Sequence, residues 1–126
     1  MKHYLPTSVR VFTGLLFVAS AIAGMMGKVP PPEPAAAQAF MGVLYSSGLL
    51  FMVKGLELLC GLALLFGFFV PLALLVLAPI IVNIVFFHAA LDPSGVLVSA
   101  VLVALWVGTA MAYRSNLLPL LQARAV

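Results

Sequence analysis

Four long apolar runs, separated by short polar or turn-forming segments, make up most of the sequence. They cover roughly residues 8–26, 47–67, 71–91 and 95–113. Each run approaches the ~20 apolar residues that a helix needs to cross a bilayer. The first run also contains VASAIAG (18–24), which is typical of a cleavable signal peptide, but it is interpreted here as a retained helix. The pattern predicts an all-α membrane protein, a four-helix transmembrane bundle forming one domain over residues 1–126.

The segments between the runs predict how the helices are connected. GKVPPPEPAAAQAF (27–40) combines consecutive prolines, typical of extended backbone, with alanines that favour a short helix near residues 35–45, along the membrane surface. Gly67 and Pro71 favour a tight turn between the second and third runs. LDPSG (91–95) matches a type I turn between the third and fourth runs. The second and third spans, and the third and fourth, should therefore form antiparallel hairpins.

Composition places the chain in a bilayer and excludes several kinds of partner. Hydrophobic residues make up 65% of the sequence and charged residues 7%, with a mean hydropathy of +1.28, which is too apolar for a protein dissolved in water. The six basic residues are scattered singly, so no nucleic-acid-binding patch is predicted. Cys60 is the single cysteine, which excludes an intrachain disulfide or a thiolate metal site, and no metal site is predicted.

The basic residues nevertheless favour one side of the predicted bundle. Four spans place both ends of the chain on the same side, which carries Lys2, Arg10, Arg114 and Arg124. The opposite side carries Lys28, Glu33 and Asp92. The positive-inside rule therefore predicts cytoplasmic N- and C-termini.

Two formal charges, Lys54 and Glu57, interrupt the second apolar run. Residues three apart share a helix face, and the helical rise places Glu57 about 15 Å and Lys54 about 20 Å from the end at Gly67, near the midplane. An unpaired charge there costs about 2.5–3.5 kcal/mol. We therefore expect the two side chains to pair inside the bundle, either to fix helix packing or to form a ligand or proton site.

Further polar residues lie along the third run. Asn83 is expected about level with the charged pair. His88 and Asp92 are four residues apart, so the carboxylate is expected to accept a hydrogen bond from the imidazole. The predicted polar core or ligand-binding site is thus a ladder made of Lys54, Glu57, Asn83, His88 and Asp92.

Two other residues bear on the packing of the third and fourth helices. Pro79 is expected to kink the third helix and to free the carbonyl of Leu75 for another donor in the bundle. Trp106 falls toward the end of the fourth run, where an indole ring usually anchors at the level of the headgroups.

Two motifs carry a resemblance to a known family. KGLE (54–57) precedes a glycine-rich stretch, and P-x-x-x-N-x-x-x-x-H (79–88) is followed by LDPSG. With the N-terminal helix and the proline-bearing loop, this order resembles the DoxX-like family of small four-helix bacterial membrane proteins. The resemblance implies a multi-pass protein of the bacterial cytoplasmic (inner) membrane. Some members are tied to membrane oxidoreductase systems, including thiosulfate oxidation coupled to quinone.

The resemblance implies an accessory or quinone-associated subunit of an oxidoreductase system. The chain has no dithiol and no flavin or nicotinamide fingerprint, so no complete catalytic motif is identified. A quinone is the candidate ligand, with His88 or Lys54 donating a hydrogen bond to its carbonyl oxygen and Glu57 or Asp92 exchanging protons. Any electron donor would come from a partner protein.

Two alternatives from other functional classes stay open. One is a small proton-coupled transporter working as a dimer and resembling the small multidrug resistance proteins, although pairing with Lys54 would neutralise the carboxylate of Glu57. The other is a membrane assembly factor whose polar core is purely structural. Beyond the lipid bilayer, the candidate partners are a second copy of the chain or oxidoreductase partner proteins.

Overall fold

The computed structural model describes residues 4–123, and regular structure in this part of the chain is helical. The six α-helices are α1 (Tyr4–Met25), α2 (Ala35–Ser46), α3 (Leu49–Phe66), α4 (Val70–Ala90), α5 (Val96–Ala112) and α6 (Arg114–Leu117). Short 3-10 turns cover Pro93–Gly95 and Leu118–Leu121. Helices α1, α3, α4 and α5 are long and apolar enough to cross a membrane, which confirms the predicted all-helical, four-span fold. Helix α2 coincides with the short helix predicted near residues 35–45.

The four long helices form a closed ring. Helices α1 and α4 each pack against both α3 and α5. Helix α2 packs on α3, and the rings of Phe40 and Phe87, 5.5 Å apart, join α2 to α4. We call the end where α1 begins and α5 ends the terminal end, and the opposite end the loop end. Lys2 and Arg124, used in the orientation argument, lie outside the described residues.

The core lies where α3 and α4 meet, with Phe17 added from α1. Its buried members are Phe17, Cys60, Leu64, Val70, Ala73, Leu74, Leu77, Ile80 and Ile81. Cys60 is therefore a small buried side chain within the apolar core.

Small and hydroxyl side chains hold α1 against its two neighbours. A Cβ added at Gly14 would lie 2.8 Å from the carbonyl oxygen of Gly61, so the two backbones touch where α1 crosses α3. On the other side, the hydroxyls of Thr13 and Thr109 lie 3.1 Å apart and are fully buried between α1 and α5. These contacts set the position of α1, which supplies part of the site described below.

The turns follow the residues that predicted them. Gly67 ends α3 with a positive φ of 80°, a conformation that a side chain disfavours. Pro71 lies in the first turn of α4. At the loop end, the amide of Gly95 donates to the carbonyl of Asp92 at 3.3 Å, which closes the predicted turn as a short 3-10 segment.

Candidate functional site

The charged pair of α3 lies inside the bundle. Lys54 Nζ and Glu57 Oε2 are 3.0 Å apart, and the two side chains are 17% and 2% exposed. Residues three apart on a helix share a face, and this face of α3 points toward the ring interior. The predicted ion pair is therefore present, with the carboxylate the more deeply buried partner.

Helix α1 supplies two further residues around Lys54 that the sequence reasoning missed. The ammonium group also approaches the hydroxyl of Ser20, at 3.5 Å. A Cβ at Gly24 would lie 2.6 Å from Lys54 Cε, so glycine leaves room for the lysine stem. Ser20 and Gly24 have the small-xxx-small spacing typical of close helix contacts in membranes, which is the signal that could have identified them.

The imidazole of His88 bonds to the backbone of the turn after α4. Its Nδ1 lies 3.2 Å from the carbonyl oxygen of Asp92. Because a carbonyl oxygen only accepts, Nδ1 donates and carries the proton, and Nε2 of a neutral ring is then an acceptor. Gly95 lies against the ring so closely that any side chain there would collide with it.

The predicted hydrogen bond between the Asp92 carboxylate and the imidazole was wrong. Asp92 Oδ1 instead accepts a hydrogen bond from Ser94 Oγ at 2.6 Å. The 3-10 turn explains this change of partner, because it brings the hydroxyl of Ser94 to the Asp92 carboxylate. The backbone carbonyl of Asp92 is then the group that bonds to His88.

Asn83 does not join the charged pair. Its side chain is exposed, and its Nδ2 donates to the carbonyl of Pro79 in its own helix at 3.0 Å. The buried face of α4 is set by Leu77, Ile80 and Ile81, and Asn83 projects from its flank. The predicted ladder of polar groups was therefore wrong, since the described side chains form two separate groups and Asn83 belongs to neither.

An apolar groove of about 420 Å³ runs along α4 and α5. We call it the α4–α5 groove. It is lined by Ala78, Ile81, Val82, Val85, Phe86, Ala89, Val103, Trp106 and Val107. Neither Lys54 nor Glu57 reaches it.

Trp106 joins α5 to α4. Its indole Nε1 donates to the carbonyl oxygen of Leu74 at 3.0 Å, and its ring packs against the core. The hydrogen bond does not set the depth of the ring in a bilayer, so anchoring at the level of the headgroups stays a prediction. Pro79 was expected to leave the carbonyl of Leu75 free for a donor in the bundle. The carbonyl that accepts from Trp106 belongs to the preceding residue, Leu74.

A second depression, of about 540 Å³, lies at the loop end. It is lined by the proline-rich segment 30–34 together with Asp92 and Ser94. Glu33 belongs to this segment, so the loop end holds two of the three acidic side chains of the sequence. The third, Glu57, is in the bundle interior.

The model of the DoxX family matches residues 5–90, which is more than half of the chain. The chain belongs to the DoxX family. The match spans α1 to α4 and includes Lys54, Glu57, Asn83 and His88, but it ends before Asp92 and α5. No curated protein and no solved structure matches the chain. Family membership confirms the resemblance seen in KGLE and in the Pro79 to His88 motif, and with the four apolar helices it identifies a multi-pass membrane protein.

Proposed function

We propose that this DoxX-family protein is an accessory, quinone-associated subunit of a membrane oxidoreductase system. The observation that carries the proposal is the α4–α5 groove, an open apolar groove on the outer face of the bundle, with the imidazole of His88 just beyond its lining on α4. The oxidoreductase system is what the family resemblance implies. A quinone would bring its own two-electron chemistry, and this chain would supply the binding site.

The groove fits the tail of a lipid-soluble quinone. Its lining is almost entirely hydrocarbon, and its volume of about 420 Å³ lies within the range of small-molecule sites. Ile81, Val85 and His88 follow one another at helical spacing on α4, so the histidine continues the stripe toward the loop end. A quinone bound with its polar ring at His88 and its apolar tail in the groove would place each part of the molecule beside side chains of matching polarity.

The tautomer of His88 favours the reduced form of the ligand. With Nδ1 donating to the Asp92 carbonyl, Nε2 of the neutral ring can accept a hydrogen bond from a quinol hydroxyl. It cannot donate to a quinone carbonyl unless the ring takes up a second proton. We therefore assign His88 the role of holding a quinol hydroxyl, and this replaces the expected donation to the carbonyl oxygen.

We assign the Lys54–Glu57 pair a structural role within this proposal. Glu57 is bonded to Lys54, and neither residue lines either depression. A proton-coupled transporter needs a carboxylate that exchanges partners, so the closed pair weighs against that alternative. A membrane assembly factor with no ligand is the second candidate, because a purely structural polar core would contain the same closed Lys54–Glu57 pair.

We further propose that the protein resides in the bacterial cytoplasmic membrane with its terminal end inside. Among the described basic residues outside the bundle interior, Arg10 and Arg114 lie at the terminal end and Lys28 lies at the loop end, and the positive-inside rule associates the excess with the cytoplasmic side. A cysteine introduced at Ser115 should react with a membrane-impermeant maleimide only after the cells are permeabilised. Reaction in intact spheroplasts would show that the terminal end lies outside, opposite to the proposed orientation.

The quinone proposal is tested by extracting purified protein with organic solvent and quantifying quinol and quinone by liquid chromatography. Wild type, purified gently from its own membranes, should retain about one quinone per chain. His88→Phe removes the acceptor while keeping a ring of similar size, and one hydrogen bond corresponds to a fall of about two- to tenfold in retention. Val103→Phe should reduce retention by filling the groove.

The matched control is Val98→Phe, the same change as Val103→Phe at an exposed position of α5 outside the groove lining, which should retain wild-type amounts. Background quinone in wild type, or equal retention in wild type, His88→Phe and Val103→Phe, would contradict the proposal and favour the assembly factor. Thermal unfolding of each variant separates loss of ligand from loss of fold.

A further inference from the structure

Arg10 has an unusual position at the terminal end of the bundle. It is half-buried on α1, and its Nη1 donates to the hydroxyl of Tyr113, the residue that ends α5, at 3.2 Å. Its guanidinium also lies against Gly67, the residue that ends α3, where a Cβ would collide with it. One arginine therefore touches the ends of two other spanning helices.

The positive charge of this guanidinium is not balanced by a carboxylate side chain of the chain. Glu33 and Asp92 lie at the loop end, and Glu57 is bonded to Lys54 in the bundle interior. The C-terminal ends of α3 and α5 each contribute about half a negative charge, at Gly67 and at Tyr113, spread over backbone carbonyl groups. Arg10 Nε is buried without a hydrogen-bond partner, so the group is partly withdrawn from water and faces helix ends rather than a carboxylate.

We propose that Arg10 and Tyr113 form a binding site for the phosphate of an anionic phospholipid headgroup. A guanidinium presents donors in a planar fork that matches phosphate oxygens. Arg10 lies six residues into α1, about 9 Å from the start of the helix, which is the depth of the interface between headgroups and acyl chains. Arg114 follows Tyr113 and is exposed, so it adds a second positive charge beside the site.

Tyr113 positions the guanidinium in this arrangement. Its hydroxyl accepts a hydrogen bond from Nη1, which ties the guanidinium to the end of α5. Glycine at position 67 keeps open the space that the guanidinium occupies. The site is independent of the α4–α5 groove, and the proposal does not depend on quinone binding.

Native mass spectrometry of the full chain in detergent tests the site, with dioleoyl phosphatidylglycerol and dioleoyl phosphatidylcholine as probes. We expect the anionic lipid to bind wild type more tightly than the zwitterionic one. Arg10→Gln should weaken phosphatidylglycerol binding by about tenfold or more, the equivalent of charge-assisted hydrogen bonds. Arg114→Gln, the matched control at the same end, should weaken it by about fivefold or less, as a basic residue near a membrane surface does.

Two further variants keep the test decisive if Arg10→Gln does not fold. Arg10→Lys retains the charge but not the fork, and Tyr113→Phe removes only the hydroxyl, so both should weaken phosphatidylglycerol binding more than Arg114→Gln does. Equal losses in the Arg10, Tyr113 and Arg114 variants would overturn the site in favour of diffuse surface charge. Displacement of the lipid by millimolar inorganic phosphate would overturn the lipid assignment and identify a site for free phosphate.

Discussion

Replacing Lys54 with methionine leaves the carboxylate of Glu57 without its partner in the bundle interior. The two groups are 3.0 Å apart, and at an effective dielectric constant of about 20 their attraction is about 5.5 kcal/mol. Removing both charges from water costs several kcal/mol per ion, so the net contribution of the intact pair to stability is small. The loss of a single partner is severe, because the remaining charge keeps its desolvation cost without the attraction.

The burial of the two side chains predicts unequal effects. Glu57 is 2% exposed, so Lys54→Met should lower the free energy of unfolding by about 3–5 kcal/mol. Lys54 is 17% exposed and reaches Ser20, so Glu57→Leu should cost no more than about 2.5–3.5 kcal/mol. The double variant, which leaves no orphaned charge, should unfold within about 1 kcal/mol of wild type.

Reversible unfolding in mixed micelles, followed by far-ultraviolet circular dichroism as denaturing detergent is added, measures all four proteins. A double-mutant cycle then gives the coupling energy, which we expect to exceed about 3 kcal/mol. Lys28→Met, a loss of the same charge at an exposed position, should leave the unfolding midpoint unchanged. Single variants as stable as wild type, or a double variant as unstable as the worse single one, would refute the structural role of the pair.

Three further predictions concern helix packing. Gly14→Ala should destabilise the bundle by about 1–3 kcal/mol, because its Cβ would meet the backbone of α3, whereas Gly42→Ala in α2 meets nothing within 4 Å and should not destabilise it; an equal effect on unfolding midpoints would contradict the close contact. Trp106→Phe should cost about 0.5–1.5 kcal/mol by removing the hydrogen bond to Leu74, and unchanged stability would show that this bond does not help to hold α5 against α4. We propose that the exposed amide of Asn83 pairs with a second copy of the chain, so Asn83→Val should weaken self-association in detergent; an unchanged monomer–dimer distribution in sedimentation experiments would exclude this contact.

Much of the fold could be predicted because membrane helices obey local rules. Each spanning helix satisfies its own backbone hydrogen bonds, so runs of about 20 apolar residues locate the helices directly. Gly67 and the LDPSG turn predicted the connections in the same local way. The Lys54–Glu57 pair was also predictable, because both residues lie on one helix at a fixed spacing and neither charge is tolerated alone in lipid.

The contacts between helices could not be predicted, because a nearly uniform apolar pattern does not show which face of a helix turns inward. Asn83 has the depth expected of a polar-core residue but the wrong angle around α4. The Thr13–Thr109 contact joins residues 96 positions apart, and no local pattern links them.

The apolar pattern and the spacing of Lys54 and Glu57 were enough to predict a protein that crosses a membrane with four helices and pairs two charges inside it. The packing of the helices was needed to show that α1 lies across α3 at Gly14, that Trp106 donates to α4, and that Arg10 meets the ends of α3 and α5. The physical reason is that lipid is as apolar as the side chains around it, so helix packing depends on close contacts and a few hydrogen bonds between helices rather than on hydrophobic pattern.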